Sequence, residues 1–219
     1  MIARSPIDLL FGDVFFEVPD ILFGSTLLLK LEGFNLSGSI KFKPAIEMVE
    51  ALERVGTLQP GKRVIESSSG NIGLALSIVC AIKGYEFICV TDPNILPHTR
   101  RLIEIHGARV VTVDRRDANG GFLATRIELI QEWLRRDPDL IWINQYANQA
   151  NAAAHERWTG AEILKNVPKV DYLFIGVGTA GTLTGCSHYM RSHRPERSAV
   201  RNAGRLPPSL GRFAMRARR

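Results

Sequence analysis

Long hydrophobic runs are missing from this chain. The longest, Leu74–Ile82, is interrupted by Ser77 and followed by Lys83, whereas a membrane-spanning helix needs about 20 apolar residues. Cysteine is scarce: Cys80, Cys89 and Cys186 are three in 219 residues and show no CxxC or Cys/His spacing. That count excludes a disulfide framework and gives no metal site. It suits small core residues carrying reduced thiols in a cytoplasmic protein. The opening MIARSPIDLLFGDVFFEVPD has early acidic residues and no small-residue cleavage pattern, so no secretory leader is expected. A distributed excess of charge is missing too. The net charge is +6, but residues 201–219 hold six Arg and no acid, which leaves 22 basic against 22 acidic residues in 1–200. A balanced body with a basic tail does not make a nucleic-acid-binding surface.

What is present is a regular alternation of strand and helix signals in a chain that is 45% hydrophobic. The patterning predicts strands at 27–31, 63–66, 87–90, 109–113, 140–143 and 172–177. It predicts helices at 44–55, 71–83, 97–106, 122–136, 152–165 and 182–190. Pro44 suits a first helical turn, where its missing N–H has no partner to lose. Leu123, Ile127, Ile130 and Leu134 repeat at helical spacing, and Asp137-Pro138 ends that helix. Such alternation implies right-handed β-α-β crossovers and an α/β fold with mainly parallel sheets. The strands are apolar throughout, as expected where helices cover both faces.

Three segments carry potential chemistry. In Asn35–Pro44, NLSGSIKFKP, Lys41 stands after a Ser-Gly-Ser turn and before a helix. A lysine forms a Schiff base only when its amine is neutral, a state that burial or nearby positive charge such as Lys43 favours. Alone, a lysine beside a turn is usually a solvated surface residue. In Ser67–Gly73, SSSGNIG, a strand leads to a helix N-terminus whose N–H groups and hydroxyls could bind a carboxylate; an ordinary Ser/Asn cap reads the same way. In Gly176–Gly185, GVGTAGTLTG, glycines and hydroxyls open a helix and suit a phosphate. The same run matches G-x-G-x-x-G, but no second strand with an acidic end follows, and Glu196 lies among Arg and Pro. A phosphate loop is therefore favoured over a dinucleotide loop.

Taken together and in this order, the segments resemble the fold-type-II pyridoxal-phosphate (PLP) enzymes of the cysteine-synthase family. The likeness covers roughly residues 20–195. It takes in Gly24-Ser25-Thr26-Leu27, NLSGSIKFKPA, SSSGNIGLAL, Asn144-Gln145-Tyr146, His155-Glu156, Thr159-Gly160, Glu162 and GVGTAGTLTG. The resemblance implies that Lys41 carries PLP through a Schiff base and then serves as acid and base. It implies that Asn71 bonds the cofactor's ring hydroxyl and that Gly178, Thr179, Gly181 and Thr182 hold its phosphate. Ser68, Ser69, Gly70, Asn71 and Gln145 would bind the substrate carboxylate. Thr91–Pro97, DANGGFLATR (117–126) and WINQYANQ (142–149) resemble the branch of N-(2-amino-2-carboxyethyl)-L-glutamate synthases. That branch implies O-phospho-L-serine and L-glutamate as substrates, and a homodimer. Lys43, Arg100, Arg101 and Arg126 are then candidate cations for the two anionic substrates. An O-acetylserine- and sulfide-using cysteine synthase, or an inactive remnant, are the alternatives.

The resemblance divides the chain into 1–43 with 145–200, part of a larger PLP-binding domain, and 44–144, a smaller α/β domain. Residues 201–219 form a basic tail that stands outside the fold, with no alternating apolar run to add to a sheet. Ala180 replaces a frequent glycine, which is tolerable where its φ is negative.

Overall fold

The structure is a computed structural model that describes residues 2–19, 24 and 26–193, and the backbone of 212–216. The chain divides into two compact units, residues 1–10 with 35–148 and residues 11–34 with 149–219.

The first unit is built on strands that are apolar on both sides. β3 (Arg63–Ser67) and β4 (Glu86–Thr91) are buried over almost their whole length. With β5 (Arg109–Thr112) and β6 (Leu140–Trp142) they make a parallel four-stranded sheet in the order β5-β4-β3-β6. Ile65, Ile88 and Val90 point into one core with Ile130 of α4 (Leu123–Arg136), Phe122, Val113 and Leu140. Glu66 and Cys89, one residue out of phase, point to the opposite face. There α2 (Asn71–Lys83) packs, and a Cβ added at its Gly73 would stand 2.9 Å from Cys89 Sγ. α1 (Phe42–Arg54) packs against α2 and buries Phe42, Ile46, Met48 and Val49. α3 (Pro97–Ile105) completes the unit.

The second unit contains the hairpin β1 (Phe15–Val18) and β2 (Leu27–Lys30), paired antiparallel with Phe16 opposite Leu29. The expected helix over 152–165 is interrupted. α5 (Gln149–Ala154) gives way to a π-helix, His155–Gly160, before α6 (Ala161–Asn166). Nothing in AAAHERWTGAEI marks a wider turn, so periodicity could not show it. The wide turn packs closely against α7 (Gly181–His193): a Cβ at Gly185 would meet Glu156 N at 2.6 Å and His155 Cβ at 2.7 Å. One at Gly160 would meet Tyr189 Cβ at 2.8 Å.

β7 (Tyr172–Gly176) precedes α7 and has its antiparallel neighbour in the tail. Residues Arg212–Arg216 form β8, which pairs antiparallel with β7, Phe174 opposite Ala214. The sequence R-F-A-M-R does alternate with the period of a strand, a run too short to stand out among the tail's arginines. The rest of the tail, and Ser25 of the quoted GSTL motif, lie outside the described residues. Among the described residues no helix is long and apolar enough to cross a membrane. Nor does any group of three or more His, Cys, Asp or Glu there suit a metal ion.

Candidate functional site

In the first unit, chain order β3, β4, β5 runs outward to one side of β3, and β6 then returns to the other. The ends of β3 and β6 therefore flank a topological switch point, where open α/β sheets bind ligands. The loop Ser68–Gly70 follows β3 and Gln145 follows β6, so both expected carboxylate-binding segments arrive at that point.

Ser68 organises the loop. Its Oγ accepts the Gly73 N–H at 3.0 Å and the Gly70 N–H at 3.1 Å. The first-turn N–H groups of Asn71 and Ile72 have no intrahelical acceptor. Asn71 is exposed and Ser69 and Gly70 half-buried, while Ser68 is buried. Gln145 is buried, and its Nε2 donates to the Ser67 carbonyl at 2.9 Å. Asn144 ahead of it takes a φ of +52°, a left-handed turn that asparagine tolerates.

Lys41 lies at the N-cap of α1, where its N–H donates to Ser39 Oγ at 3.3 Å. Burial lowers the pKa of its ammonium. Among the described residues Lys41 Nζ has no hydrogen-bond or ion-pair partner. A desolvated lysine without a counter-ion is held toward its neutral, nucleophilic form.

The cations expected around a substrate mouth fare differently. Lys43 is wholly buried rather than solvent-facing, because it sits on the packed side of α1. Arg126 is buried as well, its NH1 3.3 Å from Asp92 Oδ2. Arg100 is tied to Glu104 at 2.9 Å and Thr112 at 3.1 Å. Arg101 is exposed.

Glu66 drew no attention in the sequence, yet it is fully buried at the end of β3. Burial pushes its carboxyl up to about 7, against the pull of hydrogen bonds from Gln145, Ser67 and Trp142. The available signal was an acid ending an otherwise apolar buried strand.

In the second unit, β7 leads through residues 177–180 into α7. A Cβ at Gly178 would meet nothing within 4 Å, so the backbone there is open to a ligand. Asn151 Nδ2 donates to Thr179 Oγ1 at 3.1 Å, and Thr182 Oγ1 lies 3.2 Å from His155 Nε2. Gly181 is buried against Asn151. Asn151 and His155, neither assigned a role from sequence, thus hold the two threonines of the loop. Ala180 has a φ of +63°, so the condition for tolerating its methyl is not met.

Comparison with known proteins follows the same lines. The model of the family described as pyridoxal-phosphate dependent enzyme matches residues 16–211. An N-(2-amino-2-carboxyethyl)-L-glutamate synthase of Ralstonia nicotianae is 38% identical over 198 residues, 89% of this chain and 59% of that protein. The enzyme of that name in Cupriavidus metallidurans is 41% identical over 172 residues, 78% of this chain and 50% of its own length. The chain thus spans between half and three-fifths of the curated relatives it matches. Among solved structures, a hydrogen sulfide-producing enzyme from Fusobacterium nucleatum superposes with a TM-score of 0.82 at 30% identity, over 89% of this chain and 63% of that one. Cysteine synthase from Entamoeba histolytica gives 0.80 at 27% identity, over 89% and 58%. The chain belongs to the pyridoxal-phosphate dependent enzyme family of the cysteine-synthase fold.

Proposed function

We propose that this chain is the lysine-bearing part of a PLP-dependent β-replacement enzyme. It joins O-phospho-L-serine to the amine of L-glutamate and releases N-(2-amino-2-carboxyethyl)-L-glutamate and phosphate. The observation that carries the reading is Lys41, a half-buried amine, its pKa lowered by desolvation, with no partner among the described residues at the start of α1. The likeness to the two curated synthases supplies the choice of substrates.

Each unit carries groups whose chemistry suits one part of the cofactor. Lys41 offers a desolvated amine to its aldehyde, and Asn71 a side-chain amide to its ring hydroxyl. The start of α7, with Gly178, Thr179, Gly181 and Thr182, offers backbone N–H groups and two oriented hydroxyls to its phosphate. PLP, when bound, supplies an electron sink for the bond to the substrate α-hydrogen. Ser68, Ser69, Gly70, Asn71 and Gln145 would hold the substrate carboxylate. Lys41 takes the α-proton, and after the β-phosphate has left and the glutamate amine has added, it returns a proton to Cα. The reading carries with it a homodimer and a cytoplasmic setting, with which the three buried free thiols agree.

The test is phosphate release from O-phosphoserine by the PLP-loaded chain, with and without glutamate, and the mass of the amine product. Glutamate-dependent release with the expected mass is the outcome the reading requires. Cysteine formed from O-acetylserine and sulfide alone would instead favour the cysteine-synthase reading, toward which the Entamoeba structure points.

A further inference from the structure

We propose that Glu66 is a positioning residue for the substrate-carboxylate site: it ties the end of β3 to the backbone of Gln145 and so sets the spacing between the Ser67–Asn71 loop and the Gln145 side chain. The proposal rests on reading that loop as the carboxylate site and goes beyond it by naming what holds its two halves in register.

Glu66 is 0% exposed. Its Oε1 accepts the Ser67 N–H at 2.7 Å, its Oε2 accepts the Gln145 N–H at 3.0 Å, and the Trp142 indole N–H points at Oε1 from 3.5 Å. One carboxylate therefore spans two chain segments whose sequence separation is 79. The ladder between β3 and β6 cannot do this, because its register ends at Ile65 opposite Trp142, and the last backbone bond is Ile143 N–H to Ile65 O at 3.2 Å. Asn144 then turns left-handed and carries Gln145 out of the sheet. Beyond that turn, the Glu66 bond to the Gln145 N–H and the Gln145 side-chain bond to Ser67 O bring the two segments together.

A purely structural residue at this place would be apolar. Parallel strands covered on both faces are Val- and Ile-rich, and burying a carboxylate is costly unless its oxygens are used. Here both oxygens are used, and on the two segments that meet the ligand. The N–H groups Glu66 takes belong to Ser67 and Gln145. Those of Asn71 and Ile72 at the helix start stay available to an incoming carboxylate. The fixed carboxyl group thus sits behind the loop and orients it without occupying the donors in front.

Glu66→Gln tests this, since it keeps the shape but sets an NH2 group against one of the two N–H donors. Amide hydrogen exchange at Gln145 and Ser67 should speed up about tenfold, the size of one lost hydrogen bond, while Ile65 and Val90 of the ladder keep their protection. In the PLP-loaded chain, titration by visible absorbance compares L-alanine with ethylamine, which lacks the carboxylate. Wild type should favour alanine. Glu66→Gln should lose about tenfold of that preference, with ethylamine and PLP affinities unchanged. If Glu66→Gln does not fold, Glu66→Asp, too short to reach both N–H groups, should show the same pattern in weaker form. Unchanged exchange at Gln145, or equal losses for alanine and ethylamine, would overturn the proposal. A wild type that takes both amines alike would sink the carboxylate-site reading and this proposal with it. The exchange rates distinguish that failure from a Glu66 that ties nothing.

Discussion

His155 Nε2 lies 3.2 Å from Thr182 Oγ1, and its Nδ1 lies 3.1 Å from Thr159 Oγ1. The ring is wholly buried. A neutral imidazole donates from one nitrogen and accepts at the other, so the two hydroxyls must take complementary roles. The π-helix that carries His155 and Thr159 therefore sets the hydroxyl of Thr182, a threonine proposed to hold the cofactor phosphate, in a wide turn of the kind that recurs at functional sites.

Replacing His155 with Ala leaves two hydroxyls without that partner, at a cost of about 1–3 kcal/mol. PLP affinity should fall by about tenfold or more, measured by fluorescence titration of the apo chain. An unchanged affinity would show that Thr182 needs no such support.

Ala180 pays for its left-handed φ of +63°. A non-glycine residue there is strained by about 1–2 kcal/mol, and the greater freedom of glycine in the unfolded chain returns part of that. Ala180→Gly should raise the stability of the unit by about 1 kcal/mol, read from denaturant unfolding. A destabilised variant would mean that the methyl has packing worth more than the strain.

Glu66 makes stability depend on pH in a definite direction. Its folded-state pKa of about 7 lies above the ordinary 4.5, so the folded chain binds more protons than the unfolded one between those values. Stability from this group is fully present below the lower value and falls as pH rises through the upper one. The shift corresponds to about 3 kcal/mol. Glu66→Gln is neutral throughout, so its stability relative to wild type should climb from about pH 5 to about pH 7.5 and level off above. A difference that stays flat with pH would contradict a buried, reluctantly ionised Glu66.

Gly73 lets α2 approach the loop. A Cβ there would stand 2.9 Å from Cys89 Sγ and 3.1 Å from Ser68 Cβ and Oγ. Gly73→Ala should cost about 1–3 kcal/mol by overpacking. Removing the sulfur with Cys89→Ala in the same chain should recover part of it, a coupling that thermal unfolding of the four variants would show. Strict additivity would place the strain elsewhere.

Much of this was legible in the sequence because it is local. Helix α2 at 71–83 and strand β3 from Arg63 follow from apolar runs bounded by Gly and Ser, and the chain enters α1 near Pro44 as a first-turn proline requires. The parallel sheet followed from their alternation. What stayed hidden depends on contacts far along the chain. The widened turn at His155–Gly160 packs closely on Gly185 of α7, 25 to 30 residues away. Glu66 acts through a backbone N–H beyond another strand. Arg126 looked like a mouth cation but is buried beside Asp92, and Ala180 kept a glycine's conformation that composition cannot reveal.

The central claim is that Lys41 is the amine that holds PLP. The direct measurement is to incubate the chain with PLP, reduce with borohydride, digest, and locate the pyridoxyl group by mass spectrometry. The burial-lowered pKa of Lys41 predicts modification at Lys41 at a pH where surface lysines remain charged, and its loss in Lys41→Ala. A pyridoxyl group on another lysine, or none on the folded chain, would contradict the account.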